Sequence, residues 1–152
     1  TRFCCVTGVQ TCALPIYEDP FGVAEGTTPI PTSRQRQGDH RWTVQRDMAN
    51  NRFTLDILKD GGVLRFEDID LDVSRKAHET YDAVGDDFTS ARGRSAWTMC
   101  FSRGDWHART ETYTALECTE DEFRVHATLD AYESGERIFS RQWTESVPRA
   151  LV

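Results

Sequence analysis

The chain has 152 residues, 38% of them hydrophobic and 28% charged, and carries a formal net charge of −7. This length fits one domain. The acidic balance argues against a general nucleic-acid or anionic-membrane surface, and no apolar run approaches the roughly 18 residues that span a bilayer. We therefore expect neither nucleic acid nor a membrane as a partner.

Residues 1–16 stand apart from the rest of the chain. They contain three of its five cysteines, Cys4, Cys5 and Cys12. The spacing of these cysteines matches no zinc knuckle, and no histidine follows at ligand distance. The segment TRFCCVTGVQTCALPI closely resembles the translation of a sequencing-adapter read-through, and it lacks the pattern of a signal peptide. We interpret it as an artefactual, disordered segment rather than a genuine peptide.

Residues 17–39 have the composition of a linker. Pro20, Pro29 and Pro31 fall in the segment, and the polar run at residues 32–38 follows them. Proline and glycine at this density interrupt regular structure. After Pro31 no proline occurs until Pro148, which suits a continuous sheet because proline cannot donate to a β-ladder. We therefore predict a linker over residues 17–39 and one β domain over residues 40–152.

The β domain is predicted from short alternating segments joined by polar turns. The first strand runs near His40–Met48, and the second carries Phe53, Leu55 and Ile57 on one face. Residues 59–62, Lys-Asp-Gly-Gly, are predicted to close the next hairpin. Such alternation without a convincing helical period is typical of an antiparallel meander. We expect an all-β fold of about eight strands, as a strongly curved sheet or a partly closed barrel.

Later turns in the chain give the remaining strand boundaries. Leu64 and Phe66 have one parity, whereas Ile69, Leu71 and Val73 have the other, which predicts a bulge or bend near residues 67–68. Further turns are predicted at residues 85–87, 103–105, 119–122 and 133–136, where Gly, Asp or Ser cluster.

Candidate metal ligands have simpler interpretations as strand or turn residues. Asp68, Asp70 and Asp72 have the spacing of a calcium loop, but Val73 stands where that loop needs glycine. A solvated strand with Ile69 on its apolar face is favoured over calcium. Arg103-Gly104-Asp105, an adhesion tripeptide in other contexts, is interpreted as a hairpin turn. We expect no metal and no cofactor.

The cysteines and histidines likewise give little indication of a disulfide, a metal site or a catalytic base. A hairpin turn at residues 103–105 would place Cys100 opposite His107 or Ala108 rather than Cys118, so no disulfide is expected. Two isolated thiols suit a reducing compartment, and we predict a cytoplasmic protein. The four histidines could ligate a metal or act as bases, but face-lining side chains are the preferred interpretation; these are His40, His78, His107 and His126. His107 and His126 are expected on the same face.

A set of aromatic residues and the sequence around Ser95 are candidates for ligand binding and catalysis. The aromatic residues Tyr113, Tyr132, Trp106 and Trp143 could line a ligand cavity in a curved sheet, although core or cross-strand packing is commoner. Ser95 lies in Gly93-Arg94-Ser95-Ala96-Trp97, which has Trp97 where a nucleophile elbow needs its second glycine. The sequence therefore predicts no catalytic residue.

The last third of the chain carries a family resemblance. The segments that carry it are Arg103–Trp106, Arg109–Thr112, Phe123–Glu133, Arg137–Glu145 and Val147–Arg149. They closely resemble the C-terminal end of CocE/NonD-family hydrolases, relatives of cocaine esterase and X-prolyl dipeptidyl peptidase. The resemblance covers residues 28–152 and is strongest after Ser90.

The resemblance implies a noncatalytic role. In that family a Ser-His-Asp triad in an N-terminal α/β-hydrolase domain carries acyl transfer, and nothing in this sequence matches that domain. The implied role is a C-terminal β domain of a truncated serine hydrolase, packing against the missing catalytic domain, with homo-oligomer formation open. The alternative is a free-standing, calycin-like β-barrel that binds a small apolar ligand.

Overall fold

The computed structural model describes residues 26–150 and shows an all-β fold. Eight strands form one antiparallel sheet: β1 (Thr32–Arg36), β2 (Asp39–Asp47), β3 (Arg52–Phe66), β4 (Leu71–Val84), β5 (Asp87–Arg103), β6 (Trp106–Cys118), β7 (Glu122–Glu133) and β8 (Glu136–Pro148). The one helical element of the described range is the 3₁₀ turn Glu67–Ile69. No helix in that range is long and apolar enough to cross a membrane.

The sheet is an open meander from β3 to β8. Strands β1 and β2 both pair with β3 along the same edge, and each later strand pairs with the one before it. Strand β8 pairs with β7, and no pairing within residues 26–150 joins it to β1 or β2. The predicted all-β antiparallel meander is therefore confirmed, whereas the structure shows no closure into a barrel.

The glycine pair in residues 59–62 lies in a bulge, and the predicted hairpin at this point is wrong. Asp60 pairs with Lys76 and Val63 with Ser74, so Gly61 and Gly62 bulge out of a β3 that continues to Phe66. Gly62 adopts a φ of 73°. The bulge divides β3 into one half that pairs with β2 and one that pairs with β1. An aspartate followed by two glycines is compatible with a bulge as well as with a turn.

The true β3–β4 hairpin lies at the bend predicted near residues 67–68. Phe66 pairs with Leu71, and the 3₁₀ turn between them ends at Asp70, whose φ is 50°. Ile69 lies in this turn and is exposed, so its predicted place on a strand face is wrong. The change of apolar parity after Phe66 correctly indicated an irregularity at this point, because a hairpin shifts that parity just as a bulge does.

The remaining turns lie where the sequence predicts them. Gly85, Gly104 and Gly135 adopt positive φ in the turns after β4, β5 and β7. Cys100 pairs with Arg109, one residue beyond the predicted Ala108, and both Cys100 and Cys118 are free thiols. Strand β1 lies inside the segment interpreted as a linker. The predictions for residues 1–25 fall outside the described residues.

Candidate interaction surface

The register divides the sheet into two chemically different faces. Directly paired residues share a face, and successive residues along a strand alternate. We define the apolar face by the side-chain row that contains Ile57, which pairs with Trp42 and Glu79. Following the pairing across the sheet, that face carries the following large apolar residues: Trp42, Val44, Phe53, Leu55, Ile57, Leu64, Phe66, Leu71, Val73, Tyr81, Trp97, Met99, Phe101, Trp106, Leu116, Phe123, Val125, Leu129, Phe139, Trp143 and Val147. The opposite side is the polar face.

Only a small part of the apolar face is buried. Within residues 26–150, Ile57 at 4% exposure and Ala77 at 1% are the buried hydrophobic residues. Their neighbours form a polar cover, in which Lys59 Nζ lies 3.0 Å from Glu79 Oε1 and 5.7 Å from the centroid of the Trp42 ring. This cover shields Ile57 and Ala77 from water. The other side chains of the apolar face are shielded only by the side chains next to them.

Large apolar side chains of the apolar face remain open to solvent. Trp42 is 67% exposed, Val44 61% and Val147 51%. Phe53, Tyr81, Leu116 and Phe139 are also exposed. Domains normally bury such a face under a second layer of secondary structure, and contiguous apolar patches on a surface mark interaction sites. The described part of the chain supplies one layer, so the apolar face is a candidate interaction surface.

The polar face is a network of cross-strand ion pairs. Arg65 Nε and Nη2 donate to the two Asp72 oxygens at 2.7 and 2.9 Å. This hydrogen bonding holds the pKa of Asp72 below its ordinary value, more than the opposing effect of burial. Asp82 accepts from Thr54 at 3.1 Å and lies between Arg52 and Arg94. Opposed charges on neighbouring strands are typical of a solvated sheet face.

One pair on the polar face has the chemistry of part of a catalytic triad. His78 Nε2 lies 2.6 Å from Asp56 Oδ2, across the β3–β4 pairing. In the register, however, His78 pairs with Leu58 and Ala96, and no serine hydroxyl among residues 26–150 hydrogen-bonds to it. His78 is also half exposed. A histidine–carboxylate pair without an adjacent nucleophile or an enclosed cleft does not form a triad.

Ser95 has no histidine beside it, and its partner on β4 is Glu79, which forms an ion pair with Lys59. Ser95 lies in the middle of β5 on the apolar face, and its Oγ accepts a hydrogen bond of 2.8 Å from Trp97 Nε1. His78, by contrast, lies on the polar face. The sharp strand-to-helix turn of a nucleophile elbow is missing here, since Ser95 lies within a continuous strand.

The acidic residues of the candidate calcium loop are separated by the hairpin. Asp68 lies in the 3₁₀ turn, Asp70 ends it, and Asp72 is in β4 bound to Arg65. Within residues 26–150, no three His, Cys, Asp or Glu side chains are grouped as metal ligands.

The histidines and aromatic residues singled out from the sequence do not converge. His107 and His126 share the polar face, as predicted, but His126 pairs with Ala115, eight residues from His107 along β6. At about 3.4 Å per residue the two lie about 27 Å apart. Tyr113 and Tyr132 lie on the polar face, whereas Trp106 and Trp143 lie on the apolar face. They therefore line no common cavity.

An open pocket lies at one end of the apolar face, near the start of β7. Its volume is about 450 Å³, and Phe53, Tyr81, Leu116 and Phe123 contribute to its walls. Arg149, just after β8, stacks over it and was not singled out from the sequence. Its guanidinium carbon lies 4.1 Å from the Phe88 ring centroid and 5.4 Å from that of Phe123.

Comparison with family models, with curated proteins and with solved structures found no match. The fold of the chain is therefore established by its own structure.

Proposed function

We propose that this chain is a noncatalytic, C-terminal β domain of a larger serine hydrolase of the CocE/NonD type. Ester or amide hydrolysis belongs, in this proposal, to an α/β-hydrolase domain elsewhere in the parent protein. The β domain packs against that domain and supports it. It works in the cytoplasm, without a cofactor of its own.

The single observation that carries the proposal is the exposed apolar face. A sheet with one apolar face is stable when that face is covered, and Trp42, Val44 and Val147 lie uncovered. A docking domain would bury them and gain about 25 cal/mol for each Å² of apolar surface removed from water. The family resemblance of the later strands gives the chemical class of that docking domain.

The polar face supports a structural role as well. Its carboxylates are engaged by arginines in cross-strand pairs, as with Arg65 and Asp72. The Asp56–His78 pair lies in the open on this face, so it has neither the nucleophile nor the water-excluding cleft that acyl transfer needs. These features fit a scaffold whose polar side faces solvent.

The alternative function, a calycin-like carrier, has less support. Such a carrier encloses its ligand in a closed barrel, whereas this sheet has β8 at a free edge within the described range. Of the aromatic residues that could line a ligand cavity, Trp106 and Trp143 lie on the opposite face from Tyr113 and Tyr132.

Two experiments test the proposal. Sequencing the unbroken gene should reveal, in frame and a few hundred residues before His40, a G-x-S-x-G elbow of an α/β-hydrolase. An in-frame upstream region without such a domain would overturn the parentage.

The second experiment measures the activity of the chain itself. The purified 152-residue chain should not turn over p-nitrophenyl esters above the buffer rate, because within residues 26–150 no serine hydroxyl is hydrogen-bonded to a histidine and the Asp56–His78 pair has no serine bound to it. His78→Ala serves as the matched variant, since it removes the one histidine–carboxylate pair described. Sustained turnover that a serine-directed inhibitor abolishes would contradict the noncatalytic role.

A further inference from the structure

Strand β8 forms one edge of the sheet by itself. It has 13 residues, and within residues 26–150 it pairs only with β7. Every residue of this strand except Trp143 is exposed. Along such an edge, alternate N–H and C=O groups point away from the sheet without a ladder partner, so the edge can pair with a strand of another chain. The opposite edge is divided between β1 and β2, which leaves β8 as the longer continuous edge.

Two charged side chains of β8 lie on the apolar face without an ion pair. Arg141 pairs with Leu129 of β7 and Glu145 pairs with Val125, so both charges have apolar neighbours in the sheet. The guanidinium carbon of Arg141 lies 4.9 Å from the centroid of the Trp143 ring. Within the described part of the chain, no oppositely charged group lies at ion-pair distance from Arg141 or Glu145. A countercharge for each is therefore left to a partner.

The order of side chains along β8 is self-complementary about Trp143. When two copies of a strand pair antiparallel around a two-fold axis normal to the sheet, facing residues lie on the same face of the joined sheet. With the axis at Trp143, Arg141 of each copy faces Glu145 of the other. Phe139 and Val147 face each other in the same way. The polar face also matches, through Ser140 with Ser146 and Gln142 with Thr144.

The neighbouring registers lack this match. With the axis two positions earlier, the Arg141 side chains of the two copies face each other. With the axis one position earlier Glu145 faces Phe139, and with the axis one position later it faces Trp143. Opposite charges directly across a strand pair are stabilising, whereas like charges are destabilising. Charges on an edge strand commonly oppose pairing, but their order in β8 favours one register.

We infer that β8 is a homodimer interface, in which two copies of this chain pair their β8 strands antiparallel about Trp143. The product is one continuous sheet with eight strands from each copy. Both apolar faces lie on the same side of it, since the two-fold axis is normal to the sheet. Edge pairing leaves that side open to a covering domain, and it does not depend on the chain belonging to a hydrolase. Such an interface is small, so we expect a Kd between about 1 µM and 1 mM.

Sedimentation equilibrium of the full chain, with a reducing agent to prevent cross-linking through the thiols, measures this Kd. Glu145→Arg places an arginine opposite Arg141 at two symmetric positions and should raise the Kd by about tenfold or more. Adding Arg141→Glu to the same chain restores opposite charges in the same register. The doubly substituted chain should therefore return to within about threefold of the wild-type Kd.

Glu136→Arg is the matched control, because it makes the same change of charge in β8 outside residues 139–147, the segment that pairs. It should leave the Kd unchanged. Hydrogen exchange of the wild-type chain, above and below the Kd, locates the interface without any variant. Alternate amides of residues 139–147 should exchange more slowly in the dimer, whereas those of β2 at the other edge should not change.

Four results would each overturn this inference. They are a chain that stays monomeric at about 1 mM, a dimer that Glu145→Arg does not weaken, a charge exchange that does not restore the Kd, and dimerisation without slower exchange in β8.

Discussion

Ile57 shows at the scale of a residue how little of this sheet is protected from water. It is buried because it pairs between Trp42 and Glu79, beside the Lys59–Glu79 ion pair. We expect Ile57→Ala to lower the free energy of unfolding by about 2–3 kcal/mol, since it leaves a cavity under that cover. Urea denaturation followed by circular dichroism measures the loss.

Val44→Ala is the matched control for Ile57→Ala. Val44 lies on the same face of the neighbouring strand but is exposed. Its truncation should change the free energy of unfolding by no more than about 0.5 kcal/mol. Equal losses in the two variants would show that Ile57 is not part of a protected patch.

Gly62 is the residue on which the bulge in β3 depends. A methyl group there would overlap the backbone oxygen of Arg36, and its φ of 73° is unfavourable for other residues. Gly62→Ala should therefore destabilise the protein by more than about 1 kcal/mol and should loosen β1 first. Hydrogen exchange of the β1 amides, alongside thermal unfolding, measures both effects.

Gly26 offers a control for the glycine substitution, because an added methyl group there meets no atom within 4 Å. Gly26→Ala should leave exchange and unfolding unchanged. If Gly62→Ala behaved in the same way, the close passage of the β1–β2 connection over the bulge would be refuted.

The β3–β4 hairpin is the element whose stability should depend most clearly on acid. Hydrogen bonds from Arg65 lower the pKa of Asp72, and hydrogen bonds from Arg36 lower that of Asp60. A carboxylate with a depressed pKa in the folded state stabilises that state above its unfolded pKa of about 3.9, and the contribution is lost as pH falls through the folded value. We expect Tm to fall as pH decreases below about 4.

Asp72→Asn tests this acid dependence. The variant should have a lower Tm than the wild type at pH 7, and the difference should shrink as the pH is lowered. Asp105→Asn is the control, because Asp105 lies in the β5–β6 turn without an ion pair in the described range. A difference between wild type and Asp72→Asn that stays constant down to pH 2 would contradict the assignment.

Elements whose signals are local could be predicted from the sequence. The turns at Gly104 and Gly135 require positive φ, and the alternation on either side of them indicates strands. The bulge at Gly61–Gly62 could not be distinguished from a hairpin, because the difference depends on β1 and β2 sharing the edge of β3. The β1–β3 pairing joins residues about 30 positions apart, such as Arg34 and Leu64, and has no local signature.

The candidate sites depended still more on long-range register. Asp56 and His78 are 22 residues apart in sequence, and only the β3–β4 pairing brings them together. Arg149 approaches Cys118 from 31 residues away, after the chain has passed through β7 and β8. The apolar parity of the strands, by contrast, predicted which side chains would form the apolar face.

The described part of the molecule is a single sheet with two chemically different faces. Arginine–carboxylate pairs suit the polar face to water, whereas the apolar face exposes Trp42, Val44 and Val147. A second layer over the apolar face would bury these side chains. The proposed hydrolase domain would supply that second layer.

Hydroxyl-radical footprinting of the parent gene product, compared with the isolated chain, tests whether another domain covers the apolar face. Trp42 and Phe139 on the apolar face should be modified readily in the isolated chain and protected several-fold in the parent protein. Tyr113 on the polar face serves as the internal reference and should be modified equally in both. Equal modification of Trp42 and Phe139 in the two proteins would show that no domain covers this face, and would contradict the account.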